Sequence, residues 1–327
     1  MKDVARAAGV SLKTVSRVVN GEPGVGSSTS ERVTDAIRLL GFRRNDLARS
    51  LRRAHISSTL GLIIEDVANP FYSAIARAVE EVARARGYVV ITASSEENPD
   101  REHDLVTTLL SRQVDGVLLV PASSDHRYLR AELALGTQMV FLDRPPEGLP
   151  VDAVLIDNAG GARAGVEHLL SQGHRRVGLV GDLPEMYTLA QRVEGYRAAH
   201  LARRLDVDER LIRLGAHDVA DGESATRELL RLPEPPTALF ATNNRLAIGV
   251  LRALRDRAGR PALVGFDDFE LADMLSLPVT VVRHDPAEMG RRGAALLFAR
   301  LDGHDGPPRV EVLDTVVVVR GSGELSA

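Results

Sequence analysis

Two groups of side chains able to do chemistry stand out in the first part of this sequence, and neither is a catalytic set. The first lies near the start: on a helix opening at Ser11, a rotation of about 100° per residue puts Lys13, Ser16, Arg17 and Asn20 on one side and Val15, Val18 and Val19 on the other. The second follows an apolar run at Leu60–Ile64, where Asn69-Pro70-Phe71-Tyr72 sets two aromatic rings at the end of an expected strand. Rings so placed stack on the apolar face of a sugar or on a base, unless one of them belongs to the core. Enzyme signatures are absent. No lysine follows Lys13, which removes a phosphate-binding G-x-x-x-x-G-K-[ST] loop, and neither G-x-S-x-G nor H-E-x-x-H occurs. With no cysteine there is no thiol chemistry, and the nine histidines never pair at i, i+4, so no metal and no cofactor are expected. The glycines at 160, 161 and 165 suit a phosphate cradle or, more simply, close packing at a βα turn.

Elements must position these residues. Val4, Ala5 and Ala8 form a helical stripe ending at Gly9, Ser11 can cap a second helix, and Val33, Ile37 and Leu40 fall on one face of a third, from about Ser28 to Leu40. Two short helices joined by a glycine turn, the second with a hydrogen-bonding face, describe a helix-turn-helix whose second helix enters the DNA major groove. Charge agrees: residues 1–53 carry 11 Lys and Arg against 5 Asp and Glu, whereas the whole chain of 327 residues has a net charge of −4. A basic head on an acidic body points to a nucleic-acid or membrane-facing surface that the overall balance conceals. Nothing approaches the roughly 20 apolar residues of a membrane span, and Met1 runs straight into Lys2-Asp3 without an apolar leader, so a cytoplasmic protein with no membrane partner is expected.

The string from Ala8 to Asn20, Ala-Gly-Val-Ser-x-x-Thr-Val-Ser-Arg-x-x-Asn, resembles the signature of LacI-type (lactose repressor) transcriptional regulators, and the resemblance continues through Gly41-Phe42 and Asn45. It implies DNA contacts from Leu12, Lys13, Thr14, Ser16, Arg17, Asn20 and Asn45. It also implies a hinge helix over Asn45–Arg53, in which Leu51 takes the place of the leucine that wedges into the minor groove; an ordinary linker leucine is the plainer reading. Gly26, Ser30 and Arg44 depart from the family pattern.

From Thr59 onward, short apolar runs alternate with amphipathic stretches such as 70–86, 100–112, 159–172, 189–204, 221–230 and 246–256. A repeated βα pattern with too many strands for one open sheet implies two Rossmann-like parallel sheets with a ligand cleft outside their carboxyl ends. The family resemblance makes this an α/β two-lobed periplasmic-binding-protein-like core behind the α-helical head, with crossovers near Ile156, near Val282 and late in the chain. The expected division is a head at 1–44, a hinge and linker at 45–57 and a core at 58–327. Within the core, lobe one is about 58–156 plus 283–310, and lobe two 157–282 plus the C-terminal segment.

By the same resemblance Arg192 clamps the ligand and Asp267 binds its hydroxyls, from opposite walls. Asp143 and Asn243, at strand ends, are ligand-facing positions that could equally cap helices. Asn244 stands where the family usually has Asp, Val219 where relatives place a ring, and Met186 where a purine-binding member has a cation. These departures favour a sugar or polyol over a nucleobase. The resulting expectation is a DNA-binding repressor on a near-palindromic double-stranded operator, controlled by a small effector at Phe71, Tyr72, Asp143, Arg192, Asn243 and Asp267. No leucine heptads occur near the last residues, so a homodimer is expected. A sugar-binding transport receptor with the same core is the alternative.

Overall fold

The computed structural model describes residues 2–19, 24–39, 57–255, 257 and 259–326. It divides into two compact units, residues 1–57 and 58–327.

The first unit holds α1 (Lys2–Ala8), α2 (Leu12–Val19) and α3 (Ser27–Leu39). Gly9 takes φ +63° at the turn, a conformation that costs glycine little, and Ser11 Oγ accepts the Thr14 amide at 3.1 Å as the cap of α2. Val4, Ala8, Val15, Val33 and Ala36 are buried together, with Ala5, Val10, Val18 and Ile37 packed around them. Arg32 donates to the Ala8 carbonyl at 2.7 Å, so α3 satisfies the exposed end of α1. Leu40, expected to complete this core, lies outside the described residues.

The second unit contains two six-stranded sheets. Sheet one is built from β1 (Thr59–Ile64), β2 (Val89–Ser94), β3 (Gly116–Leu119), β4 (Gln138–Leu142), β5 (Asp152–Ile156) and β11 (Val310–Leu313), in the order β11-β5-β4-β3-β1-β2, all parallel. Sheet two has β6 (Val177–Val180), β7 (Ile212–Arg213), β8 (Ala238–Ala241), β9 (Ala262–Phe266), β10 (Thr280–Arg283) and β12 (Val316–Val318), in the order β12-β10-β9-β8-β6-β7. Only the β12 pairing is antiparallel. The chain therefore changes sheet three times: after Ile156, after Arg283 and between Leu313 and Val316. The return segment of the first sheet runs to Leu313, three residues beyond the sequence-based boundary at 310.

Side chains alternate across each sheet as the period of two requires. In β1, Leu60, Leu62 and Ile64 face one cluster and Ile63 the other; in β8, Ala238 and Phe240 face one and Leu239 and Ala241 the other. Helices cover both faces: α4 (Pro70–Ala85), α5 (Pro99–Ser111), α6 (Leu129–Ala134), α7 (Asn158–Ser171), α8 (Tyr187–Ala202), α9 (Val219–Leu230), α10 (Asn244–Leu254) and α11 (Pro286–Leu301). Three of them open on an Asx-Pro pair, with Asn69, Asn98 and Asp285 as caps and the proline in the first turn, where its missing N–H costs nothing. The glycines 161 and 165 of α7 pack against sheet two, for a Cβ there would come within 2.9 and 2.7 Å of Val282 side-chain carbons. Close packing, not a phosphate cradle, explains them.

Helices also approach one another through glycine. A Cβ on Gly195 of α8 would lie 2.3 Å from the Ala159 carbonyl oxygen of α7, and one on Gly290 of α11 would lie 2.5 Å from that of Ile75 in α4. Backbone cannot yield as a side chain does, so Gly195→Ala should destabilise the body by about 1–3 kcal/mol through overpacking. A melting curve of the variant unchanged from the parent would disprove this contact.

Candidate ligand cleft and nucleic-acid interface

The carboxyl ends of both sheets converge on a polar cavity of about 430 Å³, counting space open to solvent. Its second-lobe wall is organised by Arg192, from the second turn of α8. The guanidinium donates from Nε to Asn158 Oδ1 at 2.8 Å, and from Nη1 to the Thr242 carbonyl and to Asp267 Oδ2 at 3.4 Å. Its Cζ lies 3.8 Å from the centre of the Phe266 ring, a cation–π geometry. Asp267 in turn receives His284 Nε2 on Oδ1 at 3.1 Å. Burial alone would raise the Asp267 pKa, but the Arg192 charge and the His284 hydrogen bond outweigh it and hold it below the usual carboxylate range.

This geometry corrects one expectation. Arg192 and Asp267 do not face each other across the cleft; both belong to the second sheet's end and pair directly. Asp267 follows β9 and α8 packs beside α7 on the same lobe, so one lobe supplies both charges.

The opposite wall comes from lobe one. Asp143 follows β4 with φ +66°, as Asp267 follows β9 with φ +65°; two non-glycine residues thus hold the same sparsely populated conformation at matching strand ends. Burial raises the Asp143 pKa, and its Oδ1 has no hydrogen-bond partner among the described residues. Arg144 is buried too and grips Glu97 through two hydrogen bonds of 2.7 and 2.5 Å. Phe71 lines the cavity half-buried, edge-on to Tyr72 and His284. Tyr72 also borders it but is 3% exposed and packs in the core, so only one of the two expected rings offers surface.

Asn243 does both things its position allows: Oδ1 caps α10 by accepting the Leu246 amide at 2.8 Å, while Nδ2 donates to Asp182 at 2.6 Å. Asp182 also takes a 2.9 Å bond with His217 Nδ1, and that bond raises the His217 pKa. Val219 begins α9 rather than offering a ring. Across the cleft, Asn244 Nδ2 donates to Asn69 Oδ1 at 3.0 Å, and Arg245 Nη1 lies 3.7 Å from Glu65 and 3.8 Å from Asp66.

In the helical head, α2 presents Lys13 and Arg17 as exposed side chains and Leu12 at 48% exposure, with Thr14 and Ser16 half-buried. Val15 is fully buried beneath them. Asn20, Asn45 and Leu51, with the hinge segment, lie outside the described residues. Among the described residues no group of three or more His, Asp or Glu is placed to hold a metal ion, and no helix is long and apolar enough to cross a membrane.

Residues 1–45 match the model of bacterial regulatory proteins of the lacI family, and residues 166–323 that of a periplasmic binding protein-like domain. Over 332 positions the chain is 35% identical to the HTH-type transcriptional regulator CelR of Thermobifida fusca, covering 98% of this chain and 97% of the relative. The chain belongs to the lacI family. Among solved structures it is similar to a transcriptional regulator CelR–cellobiose complex (TM-score 0.74, 33% identity, 98% of both chains). It is also similar to the lac repressor dimer bound to operator and the anti-inducer ONPF (TM-score 0.86, 25% identity, 99% of this chain and 98% of that one). Its relatives are transcriptional regulators rather than enzymes, and this protein is a DNA-binding regulator of the same kind.

Sequence reasoning missed the regulator's Arg144–Glu97 pair, Asp182, His217 and His284. An Asp-Arg dipeptide closing the β4 run was the one available signal; the others lie on loops whose partners are distant in sequence.

Glu65 gives this site a pH signature. Burial and the neighbouring Glu97 charge push its pKa from an ordinary 4.5 up to about 7. The folded body thus holds a proton that the unfolded chain releases, and stability declines as pH rises from 4.5 toward 7. Glu65→Gln should flatten that decline in melting temperature over the same range; a parallel pH profile in parent and variant would show that Glu65 does not titrate there.

Proposed function

We propose that this regulator is a cytoplasmic homodimeric repressor whose affinity for a near-palindromic operator is set by a sugar or polyol in the cleft. The division that goes with this reading is a head at 1–44, a hinge and linker at 45–57 and a core from 58 onward. The observation that carries it is the meeting of two polar sets, the strand-end Asp143 from lobe one and the helical Arg192 with the strand-end Asp267 from lobe two, around a cavity edged by the half-exposed ring of Phe71. Vicinal hydroxyls suit such a place, since a carboxylate accepts and a guanidinium donates. The similar CelR structure holds cellobiose, which supports a carbohydrate.

In the head, Lys13 and Arg17 are proposed to donate to guanine edges, with Leu12, Thr14, Ser16, Asn20 and Asn45 in supporting contacts and Leu51 as the wedge. A small molecule closing the lobes changes how the two hinges meet only in so far as it binds one lobe arrangement better than the other.

The test begins with enrichment of DNA fragments bound by the full chain, which should yield a site with two related halves. On that site Arg17→Ala should cost about 1–3 kcal/mol while leaving random DNA much less affected. Equal losses on both DNAs would make Arg17 a phosphate contact. Asp143→Asn should keep ligand-free operator binding and weaken the effector's hold by about 1.5–3 kcal/mol, the worth of a hydrogen bond to a charged group. A full effector response from that variant in an operator anisotropy assay would remove Asp143 from the site.

A further inference from the structure

The polar cavity is only the inner end of the cleft. Beside it lies a second chamber of about 1130 Å³ against 430 Å³ for the first, both counting space open to solvent. Arg144 and Met186 line both, so the two spaces adjoin at these two side chains. The linings differ in character. Around the outer chamber stand Pro99, Pro121, Pro145, Leu183, Met186 and Tyr187, contributed by both lobes. Tyr187, half-buried in the first turn of α8, lines the second chamber and directly follows Met186, which lines both, and so sits by their junction.

Charge restricts what can enter. Each base on the inner walls is already matched with an acid: Arg192 with Asp267, Arg144 with Glu97, Arg245 with Asp66, His217 with Asp182. Asp143 adds a further carboxylate inside, and Glu147 and Glu185 two more at the outer chamber. A phosphate placed here would have to displace a carboxylate from its partner and then lie among several others.

Resting on the cleft reading above, we infer that the effector is an uncharged carbohydrate of two or more rings. One ring occupies the polar inner end and the next lies in the outer chamber against Tyr187, Met186 and Pro145. The inner wall supplies donors and acceptors for the hydroxyls of the first ring. The outer wall supplies a ring and a thioether for the C–H face of the second. Tyr187 is then a specificity residue for chain length, not for the first sugar.

Calorimetric titration of the full chain separates the alternatives, using monosaccharides (glucose, galactose, ribose), disaccharides (cellobiose, maltose, lactose), hexose phosphates and nucleosides. A disaccharide should bind at least about tenfold more tightly than any monosaccharide or hexose phosphate. Tyr187→Ala should lose about tenfold for that disaccharide and leave its component monosaccharide unchanged, which a general defect in folding would not do. A hexose phosphate or a nucleoside binding most tightly would overturn the inference, as would a monosaccharide equal to the disaccharide, or an equal loss for both in Tyr187→Ala. In each of those cases, loss of binding on Asp143→Asn would leave the cleft reading standing. Binding of no carbohydrate by the parent would remove the cleft reading and this inference together.

Discussion

One buried cation holds the second lobe's binding surface in place. Arg192 reaches the start of α7 through Asn158, the end of β8 through the Thr242 carbonyl and the end of β9 through Asp267, with its flat face on Phe266. Three chain segments far apart in sequence are thereby fixed relative to one another. A desolvated guanidinium is tolerated only because its donors are met, and removing one partner of such a set costs far more than the set contributes as a whole. Asp267 is tied in return by His284, which stands just beyond β10 near the second crossover. The clamp is thus wired to the segment through which the two lobes are joined.

Much of the fold was legible in the sequence because its signals are local. Strand runs with alternating faces, Asx-Pro helix starts and the Ala8–Asn20 string each lie within a few residues of one another. Helix boundaries expected from periodicity fall within a few residues of the observed ones; α9 begins at Val219 rather than Asp221 because Asp218 and Asp221 form a capping box upstream of the apolar stripe. The site was less legible. Tyr72 and Phe71 are neighbours with similar rings, yet the helical turn sends Tyr72 into the core and leaves Phe71 at the cavity. Arg192 and Asp267 were assigned to opposite walls because spacing along the chain does not reveal which lobe a segment serves once the chain crosses over three times. Short elements such as β7 and α6 carried too few residues for a period to show.

The two lobes repeat one plan with different chemistry. Each ends its fourth strand in order of appearance on an aspartate of positive φ, and each aspartate amide bonds to the neighbouring strand, Asp143 to Val154 and Asp267 to Val282, both at 2.9 Å. What differs is the counter-charge. Asp267 is neutralised by Arg192 and held ionised, whereas Arg144, next to Asp143, turns instead to Glu97 and lies 3.7 Å from the Asp143 carboxylate. One lobe therefore carries a completed polar set and the other an incomplete one. On the proposed reading, a ligand hydroxyl seated on Arg192 and Asp267 finds its next partner across the cleft, where an acceptor is still to be satisfied.

Closure of the lobes already has contacts of its own. Asn69 Oδ1 accepts its own helix's Phe71 amide at 3.1 Å and, on its other lone pair, Asn244 Nδ2 at 3.0 Å from the facing lobe. Asn244 makes that second bond with an amide N–H, and an ionised aspartate at 244 would have no proton to donate to the same oxygen. The amide therefore lets this position hold the other lobe, and Arg245 adds an attraction to the Asp66 carboxylate of that lobe. A protein whose lobes are partly held before any ligand arrives needs less differential affinity to be pushed fully one way. Residue 244 thus acts on the balance between lobe arrangements, while the strand-end aspartates act on the ligand, and the two can vary separately within one cleft.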